Sequence, residues 1–312
     1  MKLLSLSLIL LIFSLGLWAQ KGPSVSTSDY ITGIDWSMHP RFLSFSFTDN
    51  TDLVADYYSR KSHRYLDSYV NPGGYGITFK AITKNDNKLE GIISFSWEIN
   101  GEGYHEIITT RKACLFAGSA TVNDVNSECE TIPLFPHTGS YKIKLTASST
   151  NSKAISIYEK SIELKDYLII GLGDSFASGE GNPDKKGDFN VLENVFTSAE
   201  ALWLEPESNR SLKGAFALLA KRIEDSDPHS CVTFINVGTS GAQTSNGLLF
   251  QQHPDWQEKG QIEEVKSYIK KRKVDIILLS IGLNDLGGCG GMSELIIEAA
   301  NPAPPELSLI HI

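Results

Sequence analysis

Three short stretches of this sequence hold residue types suited to acyl transfer. The first is Gly173-Asp174-Ser175, followed by Ser178-Gly179-Glu180-Gly181. The second runs from Asn236 through Gly238, Ser240 and Gly241 to Thr244, and the third is Gly282-Leu283-Asn284-Asp285. A serine just past a buried strand, where a helix begins, stands beside an unpaired backbone N–H and the positive end of the helix dipole. That setting suits a nucleophile whose reaction creates an oxyanion. A glycine such as Gly241 lets a ligand approach the backbone closely and offers an N–H with no side chain in the way. Asn284 adds a neutral amide donor.

Each stretch follows a short continuous apolar run: Tyr167 to Leu172, Cys231 to Val237 and Val274 to Ile281. Such runs fit parallel strands buried on both faces. Helical spacing lies between them. Leu212, Ala215, Phe216, Leu219, Ala220 and Ile223 recur behind Ser211, which is read as an N-cap, and Ile262, Val265 and Ile269 do the same further on. A β-α-β-α-β order predicts a parallel sheet with right-handed crossovers. Its ligands should bind beyond the carboxyl ends of the strands, and all three stretches fall there.

With those residues in place, the chain resembles the SGNH (GDSL) hydrolases. Gly173-Asp174-Ser175 with Ser178-Gly179-Glu180-Gly181 looks like that family's first block, Gly241 stands at the glycine of the second, and Gly282-Leu283-Asn284-Asp285 matches the third. The resemblance covers about Asp166 to Leu286. It implies a three-layer α/β/α flavodoxin-like domain and a carboxylic-ester hydrolase of esterase or lipase type working through an acyl-serine. Ser175 would attack. The backbone N–H groups of Ser175 and Gly241 and the side-chain amide of Asn284 would hold the oxyanion. No cofactor or metal is implied, and the substrate could be a lipid, an acetylated sugar or a simple ester.

The chain departs from the family in its last block. No histidine has an aspartate three residues before it, as the family's Asp-x-x-His requires. His229 precedes the second strand and so falls at the wrong sheet edge; His253, in the loop after Gly241, lies at the right edge and is the one candidate base there, while His311 has no acidic partner. Only three of the expected strands are visible. Leu307 to Ile312 fits neither strand nor helix, and the chain reads as a hydrolase domain truncated at its C-terminal side, weak or inactive as it stands. The alternative is a secreted binding protein on an SGNH scaffold that has lost its histidine.

Other residue groups point to less specific roles. Asp174, Glu180 and Asp184 do not have the spacing of an EF-hand loop, and a solvated or hydrogen-bonding role is expected for them. Gly238 to Ala242 approaches a G-x-S-x-G nucleophile elbow but lacks the last glycine. The Lys270-Lys271-Arg272-Lys273 cluster is read as a solvated helix end. With a net charge of −9 and no larger basic cluster, a nucleic-acid partner is not expected.

Upstream, from about Lys21 to Lys165, the pattern has period two. Leu43, Phe45 and Phe47 alternate with serines, and Ile92 to Ile99, Tyr141 to Ala147 and Lys153 to Leu164 continue the alternation between turn residues. This predicts a β-sandwich with Trp97 in its core. Phe95 to Gly103 and Phe135 to Tyr141 resemble the immunoglobulin-like module named after polycystic kidney disease proteins. Met1-Lys2, the apolar run Leu3 to Trp18 and Ala19-Gln20 read as a signal peptide, too short for a stable membrane span. The expected layout is therefore a signal peptide at 1–19, an accessory all-β sandwich at 20–165 and the hydrolase domain at 166–312, secreted. Of the four cysteines, Cys114 and Cys129 are paired in this reading. Cys231 and Cys289 would lie at opposite sheet ends, beyond disulfide reach. Asn209-Arg210-Ser211 is an N-glycosylation acceptor whose use depends on the host.

Overall fold

The computed structural model describes residues 31–42, 53–54, 57–83, 92–110, 114–117, 131–132, 134–149, 154–185, 189–190, 195–196 and 201–287. The expected strand at 43–47, the signal peptide, Cys129, Cys289 and the segment 288–312 lie outside them.

The main strands are β1 (Ile31–Met38), β2 (Ile77–Thr83), β3 (Ile92–Gly101), β4 (Tyr104–Thr110), β5 (Cys114–Ala117), β6 (Thr131–Ile132), β7 (Gly139–Ser149), β8 (Ala154–Gly173), β9 (Ser230–Asn236) and β10 (Ile276–Ser280). The helices are α1 (Asp67–Val70), α2 (Ser175–Ser178), α3 (Ala215–Ser226) and α4 (Gln261–Ile269). The result is an α/β molecule dominated by its sheets, the larger of which is mixed parallel and antiparallel.

β8 organises that sheet. It has 20 residues, or roughly 65 Å of extended chain. Its first part, Ala154 to Leu164, pairs antiparallel with β7. From Lys165 to Gly171 it pairs parallel with β9, and from Ile169 to Gly173 parallel with β10. The alternating run up to Leu164 and the continuous apolar run from Tyr167, which read as separate strands in sequence, are one strand. The change from antiparallel to parallel neighbours occurs within it.

Around the first part, β1, β2, β5 and β6 form a second sheet. The two sheets meet through one core. Ile34, Trp36, Ile77 and Phe79 from one side pack with Trp97, Ile99, Ile143, Leu145 and Ile162 from the other. Trp97 is fully buried there, as its alternation predicted. Around the second part, period-two alternation splits β8 between two faces. Leu168, Ile170 and Leu172 face Val265 and Tyr268 of α4, while Ile169 faces Ala217 and Ala220 of α3 with Phe42. All seven residues of β9 are buried, which accounts for its unbroken apolar character.

The α4 face also holds Tyr57, Tyr58, Tyr65, Tyr69 and Val70, from a region that pattern alone assigned wholly to the sandwich. Tyr65 and Tyr69 exchange hydrogen bonds with the β9 backbone. Each accepts from an N–H, of Asn236 at 2.9 Å and of Phe234 at 2.8 Å, and donates to the carbonyl of the same residue. β9 is thus capped on its free edge by tyrosine hydroxyls rather than by another strand.

Two further expectations are corrected. α3 starts at Ala215 behind Gly214, because the Ser211 hydroxyl is occupied with the Asn182 carbonyl, Asp184 and the Lys213 N–H. Arg272 is no solvated helix end. It donates to Val70 O and Thr233 Oγ1 and pairs with Asp166 Oδ2 at 3.1 Å. Arg41 pairs with the same carboxylate, which has no exposed side-chain surface. Cys231 is a free, buried thiol at the start of β9.

The fold carries two measurable consequences. Asp166 neutralises two guanidinium groups from separate segments, so Asp166→Asn should cost about 3 kcal/mol, the lower end for an unpaired buried charge because both arginines keep some solvent contact. Urea denaturation measures this. Glu224 places three N–H donors, from Arg41, Phe42 and Val232, on Oε1, and leaves Oε2 buried without a partner. Burial raises its pKa. The folded state therefore holds this proton above the ordinary carboxylate range, where the unfolded chain has lost it, and stability falls as pH rises through that window. Glu224→Gln keeps the Oε1 acceptor and cannot ionise. Its stability should decline less than wild type over that interval in urea titrations run at a series of pH values, and an unchanged slope would contradict this origin.

Candidate active site

The strand order β9–β8–β10 puts the strand that ends at Gly173 between its two parallel neighbours. Parallel direction then brings Ser175, Gly241 and Asn284 to the same edge of the sheet, each in the segment that follows its strand.

The backbone at the end of β8 is locked. Gly173 has φ +132°, and a Cβ there would stand 1.7 Å from the Ser280 carbonyl oxygen, so only glycine fits. The next N–H, of Asp174, donates to that same carbonyl at 2.9 Å. Gln261, fully buried at the start of α4, brackets Gly173: its Oε1 accepts from the Gly173 N–H and its Nε2 donates to the Gly173 carbonyl, both at 2.8 Å. The Thr239 N–H donates to that carbonyl as well, at 3.0 Å.

Asp174 caps α2 and accepts from the Phe176 N–H at 3.1 Å. Burial raises its pKa against these bonds, and the nearby charge of Asp285 adds to the rise. Ser175 is the first residue of α2 and is half-buried. Its carbonyl accepts from Gly179 N and Glu180 N, each at 3.1 Å, and from Ser178 Oγ at 3.0 Å. Neither its N–H nor its Oγ makes a hydrogen bond among the described residues.

The second segment is fastened to α2. Asn236 donates from Nδ2 to Ala177 O at 2.7 Å and accepts on Oδ1 from Gly238 N at 2.9 Å. A Cβ on Gly238 would stand 2.9 Å from that of Ala177, which explains a glycine at this crossing. Gly241 has φ +75°, and its N–H, like that of Ser175, makes no hydrogen bond among the described residues. The Ser240 hydroxyl donates to Glu180 at 2.6 Å.

The third segment is tied to the second. Asn284 donates one amide N–H to Ala242 O at 2.9 Å, and its own carbonyl accepts from Gln243 Nε2 at 2.9 Å. Asp285 accepts from the Thr244 N–H and hydroxyl, each at 3.0 Å. The Asn284 amide therefore lies against the turn that contains Gly241, with its second N–H unused.

The acidic residues of the first loop are structural. Glu180 accepts from Ser240 and Asn209, and Asp184, buried, accepts from the N–H groups of Leu204 and Leu212. Among the described residues no cluster fit for a metal ion occurs.

No histidine reaches Ser175 among the described residues. The His253 ring stacks on Trp256 at 5.2 Å, and His229 bonds Asp227 at the far end of β9. Pattern reading missed a buried group beside the site. Glu205 and Arg210 are both almost wholly buried. Glu205 accepts from Tyr58 and bonds His63 Nδ1 at 3.0 Å, and Arg210 Nε donates to Gly238 O at 3.1 Å. Glu205 and Arg210 stand in a turn with no periodic signal, and their partners are more than a hundred residues upstream or in another loop.

No family model matches this chain, and no curated protein matches it. Among solved structures, a polysaccharide deacetylase from Bacillus cereus is similar at 9% identity and TM-score 0.19, covering 66% of this chain and 65% of that one. A putative polysaccharide deacetylase from Bacillus anthracis gives 10%, TM-score 0.20 and 64% of each chain. A carbohydrate esterase, described as having divergent catalytic and non-catalytic binding functions, gives 14%, TM-score 0.23 and 82% of this chain against 66% of that one. The chain thus spans just under two thirds of each. At these TM-scores the shared geometry is too slight to assign this chain a fold or an activity.

The Gln261 bracket is open to test. Gln261→Ala would leave a buried N–H and carbonyl of Gly173 short of partners, for a loss of about 2 kcal/mol. Chemical denaturation would read it, and Gln261→Glu should not recover the loss, because a buried carboxylate would set a second acceptor against the Gly173 carbonyl.

Proposed function

We propose that this chain is a secreted ester hydrolase of the SGNH type, in which Ser175 forms an acyl intermediate and the N–H groups of Ser175 and Gly241, with the Asn284 amide, hold the oxyanion. One observation carries the reading. At the shared edge of three parallel strands, the two backbone N–H groups that the resemblance names make no hydrogen bond among the described residues, while the surrounding backbone is densely bonded. Fixed, unoccupied donors at the place where charge develops are what electrostatic stabilisation of a tetrahedral intermediate requires. The third donor, Asn284, keeps one N–H free and is anchored through the other.

The order β9–β8–β10, with layers on both faces of β8 and β9, supports the flavodoxin-like reading of the hydrolase region. For the upstream region, two sheets packed through one core and the Tyr141 hydroxyl donating to His137 O, four residues earlier, at 2.9 Å support the immunoglobulin-like reading. Secretion rests on the apolar run from Leu3 to Trp18. Among the described residues no helix is long and apolar enough to cross a membrane. The acyl and alcohol groups belong to the class of lipids, acetylated sugars or simple esters.

The proton on Ser175 needs a base, and none of the described histidines supplies it. Hydrolysis by this chain should therefore stay near the residual level left when a triad loses a member, about 10³–10⁴ over water. The second reading, a binding protein on the same scaffold, is favoured by that same lack of contact. Turnover of p-nitrophenyl acetate separates the two. The esterase reading expects slow hydrolysis that survives in Ser175→Ala, because the residual rate comes from the oxyanion donors and binding, and that falls about 10²-fold in Asn284→Ala. Equal rates in wild type and Asn284→Ala would sink it in favour of the binding protein.

A further inference from the structure

A cleft of about 640 Å³ lies at the opposite end of the parallel strands, where β8 changes partners. Its wall is drawn from both halves of the molecule: the turn at Asn71 and Tyr75, the turn at His137, the β8 stretch around Tyr167, and the segment after α4 at Arg272 to Asp275. Its volume is that of a small-molecule site. The seven residue steps along β8 from Asp166 to Gly173 put it about 20 Å from the Ser175 edge.

Its charges narrow the class of ligand. Three carboxylates and three cations line it. Glu163 faces Lys165 at 3.5 Å, and Asp166 holds Arg272. Asp275 takes the Leu168 N–H at 2.9 Å. Lys273 makes no hydrogen bond or ion pair among the described residues. A polyanion would meet the carboxylates and a metal ion would meet the cations. A neutral ligand rich in hydroxyl groups can use donors and acceptors of both kinds. The Tyr75 hydroxyl, also without a hydrogen bond among the described residues, adds one more such group. His137 uses Nδ1 on the Tyr141 hydroxyl at 2.8 Å, which leaves Nε2 over. Apolar surface comes from the half-buried Tyr167 ring and from Pro72 and Pro136. The C–H face of a pyranose carries slight positive charge at its hydrogens and suits the negative face of an aromatic ring.

We propose that this seam cleft is a non-catalytic binding site for a neutral saccharide, built jointly by the sandwich and the parallel half. It does not depend on the esterase reading, since no residue of the Ser175 edge takes part.

Calorimetric titration of the full chain tests it, with neutral oligosaccharides of glucose, mannose, xylose and N-acetylglucosamine as probes, and with a galacturonate oligomer and inorganic phosphate as charged controls. At least one neutral sugar should bind with a Kd of about 1 mM or tighter. Tyr167→Ala should weaken it about tenfold, and Lys273→Ser, an exposed change that leaves the core untouched, at least a few-fold. Ser175→Ala should leave it unchanged. The proposal is overturned if no neutral sugar binds, if only the charged controls bind, or if affinity survives Tyr167→Ala and Lys273→Ser but is lost in Ser175→Ala, which would move the ligand to the other end of the sheet.

Discussion

Everything in this molecule hangs on one strand. β8 is the last strand of the antiparallel half and the central strand of the parallel half. From Ile169 to Gly171 it is paired on both sides, so the N–H and carbonyl groups of that stretch cannot be satisfied unless β9 and β10 form around it, while Ala154 to Leu164 relies on β7. The two halves therefore are not beads on a linker. Their border passes through a hydrogen-bonded strand, and the sandwich core and the two helix-covered faces are fixed relative to one another by its continuity. The Asp166 carboxylate stands just past that border and gathers Arg41, Arg272 and Thr233 from three other segments. A buried charge this well matched is costly to disturb, which makes the junction specific as well as strong.

The edge that carries Ser175 inherits its precision from the other end of the same strand. The terminal residue of β8, Gly173, is held by a side-chain bracket, by the Thr239 N–H and by close contact with the end of β10. No side chain at residue 173 could coexist with the Ser280 carbonyl. Because Ser175 follows only two residues later and the Asp174 carbonyl, in the same peptide plane as the Ser175 N–H, accepts from the Ser178 N–H at 2.9 Å, the direction of that N–H is set by the sheet and α2 rather than by a mobile loop. The Gly241 turn and the Asn284 amide are then positioned relative to that N–H through Asn236, Gln243 and Ala242. The donors are fixed before any ligand arrives, the condition under which they stabilise developing charge without reorganising.

How much of this was legible in the sequence follows from which interactions are local. β8 and β9 were visible as unbroken apolar runs because both of their faces are covered, whereas β10, read in the same way, leaves Ile277 and Leu279 61% and 55% exposed; the loops after all three could be placed because parallel direction fixes which end they occupy. Ser175, Gly241 and Asn284 could be named from short spacings. What escaped was non-local. The tyrosines from Tyr57 to Tyr69 read as part of the sandwich, since nothing in their spacing announces that two of their hydroxyls will satisfy the free edge of β9. Arg272 read as a solvated helix end because its partner, Asp166, is more than a hundred residues away. Ser211 read as a helix cap because a serine before an apolar helix usually is one. Here Asp184 and Asn182 take its hydroxyl, and the helix starts later. Gln261 and Glu205 gave no warning, since a buried polar residue declares itself only through the backbone or the partner it satisfies.

The same geometry explains why chemistry and recognition can be kept apart here. A parallel strand has two unlike ends: one presents the segments that follow the strands, the other the segments that precede them. In this chain the first end carries unoccupied N–H groups, a setting for negative charge. The second carries compensated ion pairs and aromatic surface, a setting for neutral polar matter. A ligand at the second end can touch nothing that reacts, because about 20 Å of rigid, doubly buried strand separates it from Ser175. For a ligand that reaches both ends, binding there would hold it on the protein without altering the local geometry at Ser175. Gain from such a site comes through effective concentration, and it is greatest when the spacing between sites is fixed. A continuous strand is the simplest covalent means of fixing it.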